Sequence, residues 1–473
     1  MQTALRPPSA FEMATGIPAE DRSAPTSSSL LPGFLRPRRA AHFLTDPVAV
    51  QQRYAHFRPR ILIWSTLGYG AFYFVRKNLS VAQPFIESEL HITKTNLGIF
   101  LTLNGVLYGI SKFLNGMLAD RADARKFMAL ALAVSALLNL GFGFSSTFVW
   151  MGMFWMLNGW FQGMGYPPCA RVLTHWFSPR EIATKMSWWN SSHCLGSSGI
   201  LILCAYLMTH FNNWRMCFWV PAAIAMAMAG LLLLYLRDTP ESVGLPELPD
   251  SHVEETPRDT AGETEAHSAF IGRRVFGNKY IWLFSAANFF VYTLRYSVFD
   301  WGPTMLKEAK HVTIVHASWM IVGFECAGLV GMLLTGWMTD RFFKGRCAPI
   351  CTASMLMCGV VTFLFWKAPT NMAWANTALL AALGFFVYIP QALVAVAVVN
   401  LATKRAAATA VGLTSIFGYA STVLSGWGLG ALVQHYSWGH AFPCLIGIAL
   451  AGAALFALAL PSKPFGYSAT SET

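Results

Sequence analysis

"GMLADRADAR" at 116–125 returns as "GWMTDRFFKGR" at 336–346, and this pair of stretches decides the fold. The two leading glycines lie 220 positions apart, as do the Asp120–Arg121 and Asp340–Arg341 pairs. Working outward, Tyr73 and Arg76 recur 219 positions later as Tyr292 and Arg295. A shift of 225 aligns "REIATKMSWWNSSH" (180–193) with "RAAATAVGLTSIFG" (405–418). Near-constant offsets through three landmarks describe a duplicated unit rather than scattered coincidences.

Each unit is built for lipid. The chain has 473 residues, of which 55% are hydrophobic and 12% charged, whereas soluble domains carry about 25% charged residues. About twelve apolar stretches, from 61–83 to 438–461, approach the roughly 20 residues needed to cross a bilayer. A lipid-exposed backbone must satisfy its own hydrogen bonds, so these stretches are expected to be helices. The expected fold is an all-α membrane protein: twelve transmembrane helices in two pseudosymmetric six-helix bundles, in which a binding site falls between the repeats near the midplane.

The expected boundaries are a disordered cytoplasmic tail (1–58), an N-terminal bundle (59–236), a linker (237–279), a C-terminal bundle (280–463) and a short cytoplasmic tail (464–473). The linker begins "RDTPESVGLPELPDSH" and is polar and rich in Pro and Glu. The net charge of +11 is not a nucleic-acid footprint. Counted from a cytoplasmic N-terminus, sixteen Lys and Arg residues fall in the inside loops and five in the outside ones, a positive-inside bias. Both termini are therefore expected in the cytoplasm, and the expected location is an inner (plasma) membrane crossed many times. The nine cysteines show neither zinc-site spacing nor a disulfide framework. No G-x-x-x-x-G-K-[ST] phosphate loop is present, which argues against direct use of ATP. No nucleophile or metal cluster supports a lipid-phosphate enzyme, and no cofactor is expected.

Six charges interrupt the apolar runs: Arg76, Lys77, Lys112, Arg295, Asp300 and Glu325. A charge at the bilayer centre costs at least ~2.5–3.5 kcal/mol, so such groups are functional by default. Four positives against two negatives leave a surplus of two, which calls for an anion. Arg76 and Arg295, one from each repeat, suit a doubly charged tetrahedral oxyanion, because guanidinium binds phosphate in a planar, bidentate way. Lys77–Asp300 and Lys112–Glu325 are read either as neutralising pairs or as ligands. His193 lies three residues after Asn190 on one helix face and titrates near neutral pH. Its rival reading is a plain helix–helix contact. Tyr69, Tyr73, Tyr108 and Tyr292 share faces with the cations and suit a polar lining.

The G-x-x-x-D-R-x-x-x-R pattern (Gly116, Asp120, Arg121, Arg125, echoed by Gly336, Asp340, Arg341) resembles the loop signature of the major facilitator superfamily. In that pattern Gly116 is expected to permit close helix approach. "FYFVRKN" (72–78), "GWFQGMGYPPCARVLTHWFS" (159–178), "WWNSSHCLG" (188–196) and "FFVYTLRYSVFDWGPTMLKE" (289–308) resemble the organophosphate:phosphate antiporter family, over roughly 53–463. Its glycerol 3-phosphate branch is the most similar. The resemblance implies exchange of an organic phosphate for inorganic phosphate by rocking of the two halves. It also implies phosphate binding by Arg76 and Arg295, assistance from His193, and rearranging ion pairs at Lys77, Asp300 and Glu325. A monomer is expected. Departures include Tyr166 for the family's Trp, Ile389 for a usual Gly, and an uncharged "AVGLTSIFGYAS" (410–421), which favours a three-carbon phosphate. The alternatives are a hexose-phosphate transporter, or a membrane sensor of hexose phosphate with a kinase partner.

Overall fold

The computed structural model describes residues 32–37, 40–119, 122–178, 181–246, 272–343, 346–402 and 407–462. Among these there is no strand. The principal helices are α1 (Pro47–Phe74), α2 (Leu79–Leu90), α3 (Lys94–Ala119), α4 (Ala124–Phe144), α5 (Phe148–Gly163), α6 (Tyr166–Trp176), α7 (Ile182–Phe211) and α8 (Met216–Tyr235). The second half holds α9 (Lys279–Ala309), α10 (Ile314–Phe343), α11 (Cys347–Lys367), α12 (Ala373–Ala402), α13 (Ala407–Ala420), α14 (Leu429–His435) and α15 (Trp438–Leu458).

Nine helices among the described residues are long and apolar enough to cross a membrane. The other three expected spans are present as α1–α2, α5–α6 and α9, and each has a reason to fall short. The first two are interrupted, at 75–78 and at Met164–Gly165. The third is continuous but carries Arg295 and Asp300.

Backbone geometry repeats the sequence offsets. His91 and His311, both at φ 54°, end α2 and follow α9 at a spacing of 220. Asn212 (φ 48°) and Ser437 (φ 122°) lie 225 apart. Within each half the packing recurs too, with α3 against α5 and α10 against α12. Backbones touch there: a Cβ on Gly159 would sit 2.6 Å from the Asn104 carbonyl oxygen, and one on Gly384 2.1 Å from that of Phe324. Between halves, α7 meets α10, α2 meets α9, and α3 runs along α13, a π-helical turn at Val423–Gly428, and α14.

Two expected boundaries are corrected. The tail assigned to 1–58 is ordered over 32–37 and 40–58. Asp46 caps α1 by accepting from the Val48 and Ala49 amides, and Leu35, Tyr54 and Phe57 are buried against the first bundle. The arm also runs along the start of the linker. Ala40 donates to the Glu241 carbonyl and Leu44 to that of Gly244, and the Tyr54 hydroxyl to Pro246 at 2.6 Å. The linker assigned to 237–279 therefore begins as part of the first bundle, and α9 starts at its last residue. The 464–473 tail lies outside the described residues.

Candidate functional site

The turn at 75–78 breaks the first span and frees backbone groups inside the membrane, where each must find a partner. Asn139 and Asn158 donate to the Val75 carbonyl at 2.9 and 2.8 Å. Asn78 donates to Asn139 and to the Cys217 carbonyl. Held this way, the turn sends Arg76 and Lys77 to different neighbours. The Arg76 guanidinium carbon lies 3.9 Å from the Tyr108 ring centre and 5.6 Å from that of Tyr73. No carboxylate is within ion-pair distance of it among the described residues. Lys77 reaches across to the second half and pairs with Asp300.

Arg295 is treated differently. Its Nη2 donates to the Tyr388 hydroxyl at 2.7 Å and lies 3.9 Å from Glu325 Oε1. Tyr388 in turn donates to Glu325, which also accepts from Ser197 of the first half at 2.9 Å. Arg295 Nε and His193 Nδ1 are buried without hydrogen-bond partners. The His193 ring stands between Tyr73 (6.3 Å) and Tyr388 (6.5 Å). A line of side chains from Arg76 through Tyr73, His193 and Tyr388 to Arg295 thus crosses between the halves.

The alternative pairing of Lys112 with Glu325 is overturned. Glu325 is engaged by Tyr388, Ser197 and Arg295, while Lys112 Nζ lies over Tyr166 (4.3 Å) and Tyr419 (5.7 Å). Lys112 instead borders a cleft of about 600 Å3 with Gly116, Tyr166, Arg171, Thr174 and His175. Gly116 borders this space, and among the described residues a Cβ there would meet nothing within 4 Å. Above Arg76 and Lys77 a small cavity of about 30 Å3, bounded by Tyr296, Asp300 and Tyr419, has room for about one water.

The remaining expected residues divide. Tyr108 touches Tyr419 (5.0 Å) as well as Arg76. Tyr69 belongs to an aromatic group with Tyr73, Tyr166 and Trp189, and Tyr292 packs on Tyr296 and Tyr419. Asn190 makes no hydrogen bond to these groups among the described residues. Of the loop signature, Arg125 lies 3.8 Å from Asp123. Asp120 and Arg121 lie outside the described residues, as do the side chains at 336, 340 and 341.

Tyr388, Tyr296, Tyr419 and Ser197 are absent from the sequence reading. A signal for Tyr388 exists: Tyr166-Pro-Pro168 and Tyr388-Ile-Pro390 form a Tyr-x-Pro pair 222 positions apart.

At the end away from Lys112, side chains bridge the halves. Lys94 Nζ binds Glu87 (2.7 Å) and, across the halves, Glu308 (3.1 Å), and its amide donates to Gln434. The result is a two-bundle molecule with a polar, cation-bearing middle, bridged by ion pairs at one end and cleft at the other.

The sequence model of the Major Facilitator Superfamily matches residues 65–426. The chain belongs to that superfamily. A probable hexose phosphate transport protein of Chlamydia pneumoniae is 35% identical over 435 residues, 89% of this chain and 95% of that one. The glycerol-3-phosphate transporter of Bacillus subtilis (strain 168) is 35% identical over 421 residues, 87% and 94% of the two chains. The membrane sensor protein UhpC of Salmonella typhimurium is 34% identical over 429 residues, 90% and 96%. Among solved structures, a mutant of the nucleoside transporter NupG superposes with a TM-score of 0.67 at 14% identity, over 85% of this chain and 99% of its own. Such low identity speaks for the fold alone. Family and fold together make this superfamily member a multi-pass membrane transporter rather than an enzyme.

Proposed function

We propose that this transporter exchanges an organic phosphate, with glycerol 3-phosphate first and hexose phosphate second, for inorganic phosphate by alternating access. The observation that carries the reading is the unneutralised Arg76 guanidinium, held against Tyr108 at one end of the line of side chains that leads through Tyr73, His193 and Tyr388 to Arg295. A phosphate dianion would supply the counter-charge that Arg76 lacks and that Glu325 already gives in part to Arg295. Arg76 supplies a bidentate donor pair, Arg295 presents its unpartnered Nε, and His193 Nδ1 is free to bond a phosphate oxygen. Relatives named as carriers of hexose phosphate and glycerol 3-phosphate support the substrate class.

In this reading the Arg-rich loops and the cleft face the cytoplasm of an inner-membrane protein with both termini inside. The Lys94–Glu308 end faces outward and is shut. Phosphate entering past Lys112 draws the halves together, and the Lys94 pairs give way as the other end closes. An empty chamber leaves like charges opposed, so reorientation requires an occupant and exchange is obligatory.

The test is counterflow of labelled phosphate in proteoliposomes, competed with glycerol phosphate, hexose phosphates and phosphoglycerate. Stimulation by one class identifies the substrate. No exchange with any of them refutes the transport reading. The similarity to a membrane sensor supports a second reading, in which the same site detects hexose phosphate and signals to a kinase. Binding without exchange favours it.

A further inference from the structure

Three guanidinium groups converge on one helix end far from the chamber. Arg125 Nη1 lies 3.4 Å from the Leu233 carbonyl oxygen, in the last turn of α8. Arg237 Nη1 donates to the Leu234 and Leu236 carbonyls at 2.9 and 2.8 Å. Arg60, from α1, stands over the Tyr235 ring at 5.1 Å. A helix C-terminus carries only about half a negative charge, which cannot balance three cations. Among the described residues the carboxylate paired with the cluster is Asp123, 3.8 Å from Arg125 and shared with Lys126 at 3.3 Å. Asp238, next in the chain, is committed to Arg171. Burial, followed by the neighbouring charges of Arg125 and Arg60, holds the Arg237 guanidinium below its ordinary pKa. Among the described residues the cluster therefore carries net positive charge.

Its setting indicates what the charge is for. Trp64 and Tyr235 stack at 4.6 Å beside it, the kind of aromatic pair that marks a membrane–water interface. From that level the apolar side chains of Ile63, Leu233 and Leu234 are 54%, 46% and 62% exposed, on the faces of α1 and α8 that turn outward. Cations at the rim over an apolar wall match a phosphate headgroup with acyl chains, a pattern met in basic pockets between membrane helices. We propose that Arg60, Arg125 and Arg237 form a headgroup site for an anionic phospholipid, whose chains lie along α1 and α8. The inference does not depend on the substrate of the central chamber.

The test uses the full chain in phosphatidylcholine nanodiscs with spin-labelled phosphatidylglycerol. Electron spin resonance reads the motionally restricted lipid fraction. Wild type is expected to prefer phosphatidylglycerol over labelled phosphatidylcholine. Arg60→Gln and Arg237→Gln should each lower that preference about fivefold. The Arg60→Lys/Arg237→Lys protein, which keeps the charge, should retain most of it, and this guards against a misfolded Gln variant. A wild type without preference overturns the site, as does an undiminished preference in folded Gln variants. Inorganic phosphate that abolishes the preference, where chloride of equal ionic strength does not, assigns the cluster to a free anion and overturns the lipid assignment.

Discussion

The two halves share a helical plan and differ in how they treat their central arginine. At the shift of 220 that relates α3 to α10, Glu325 corresponds to Gly105 and Tyr108 to Gly328. In the second half the acid sits beside Arg295. In the first half Gly105 leaves room for Thr422, whose methyl carbon would lie 2.4 Å from an added Cβ. Gly328 likewise makes room for Tyr388, whose ring would lie 2.4 Å from a Cβ there. Duplication supplied two cations, and divergence at four positions made one of them tethered and the other open. The lesson is that pseudosymmetry of backbone does not carry over to electrostatics. Arg295 is preorganised through Tyr388 and Glu325, while Arg76 keeps its charge available.

That asymmetry can be broken experimentally. The largest effect belongs to Arg76→Gln: losing two charge-assisted hydrogen bonds should weaken phosphate binding by at least about 100-fold, read by equilibrium binding to the purified protein. Wild-type affinity would remove Arg76 from the site. Arg295→Gln should be comparably severe, but for a further reason, since it leaves Glu325 facing an incoming dianion. Adding Glu325→Gln to Arg295→Gln should recover about tenfold in affinity. A double variant no better than Arg295→Gln alone would show that Glu325 does not oppose the ligand. Smaller still is Tyr388→Phe, which removes the hydroxyl between Arg295 and Glu325. A loss of about tenfold is expected, against little change for its counterpart Tyr166→Phe, which makes no hydrogen bond through its hydroxyl among the described residues. Equal effects of the two would erase the distinction between the halves. The smallest effect lies at the sealed end. Glu308→Gln removes one partly exposed ion pair worth up to ~1 kcal/mol. It should raise labelling of a cysteine placed behind that seal by no more than about fivefold.

Much of the architecture was legible beforehand because a bilayer narrows the options. Apolar length, loop charge and the recurring Gly and Asp-Arg landmarks all point to paired six-helix bundles. The Lys77–Asp300 pair could be suspected from charge arithmetic along the first and seventh spans. The partner of Glu325 could not. Choosing among Lys112, Arg295 and a hydroxyl requires knowing where α10 faces α7 and α12, and hydropathy is blind to helix rotation. Tyr388 escaped notice for a related reason: an aromatic in an apolar run reads as filler until its hydroxyl is seen between two charges. The ordered arm before α1 was missed because its Pro- and Arg-containing composition has no periodicity, and its hydrogen bonds go in part to a linker some two hundred residues away.

By itself, then, the amino-acid order determined that this protein lives in a membrane, that it is a doubled unit, and that cations of both units lie at matching depths. These are one-dimensional properties, set by hydrophobic length and by repetition. Tertiary structure alone decided that Arg295 is tethered and Arg76 open, that Lys112 faces a cleft, and which end is bridged by ion pairs. Those outcomes depend on distances of a few ångströms between helices distant in the chain, where a single glycine or hydroxyl selects the partner.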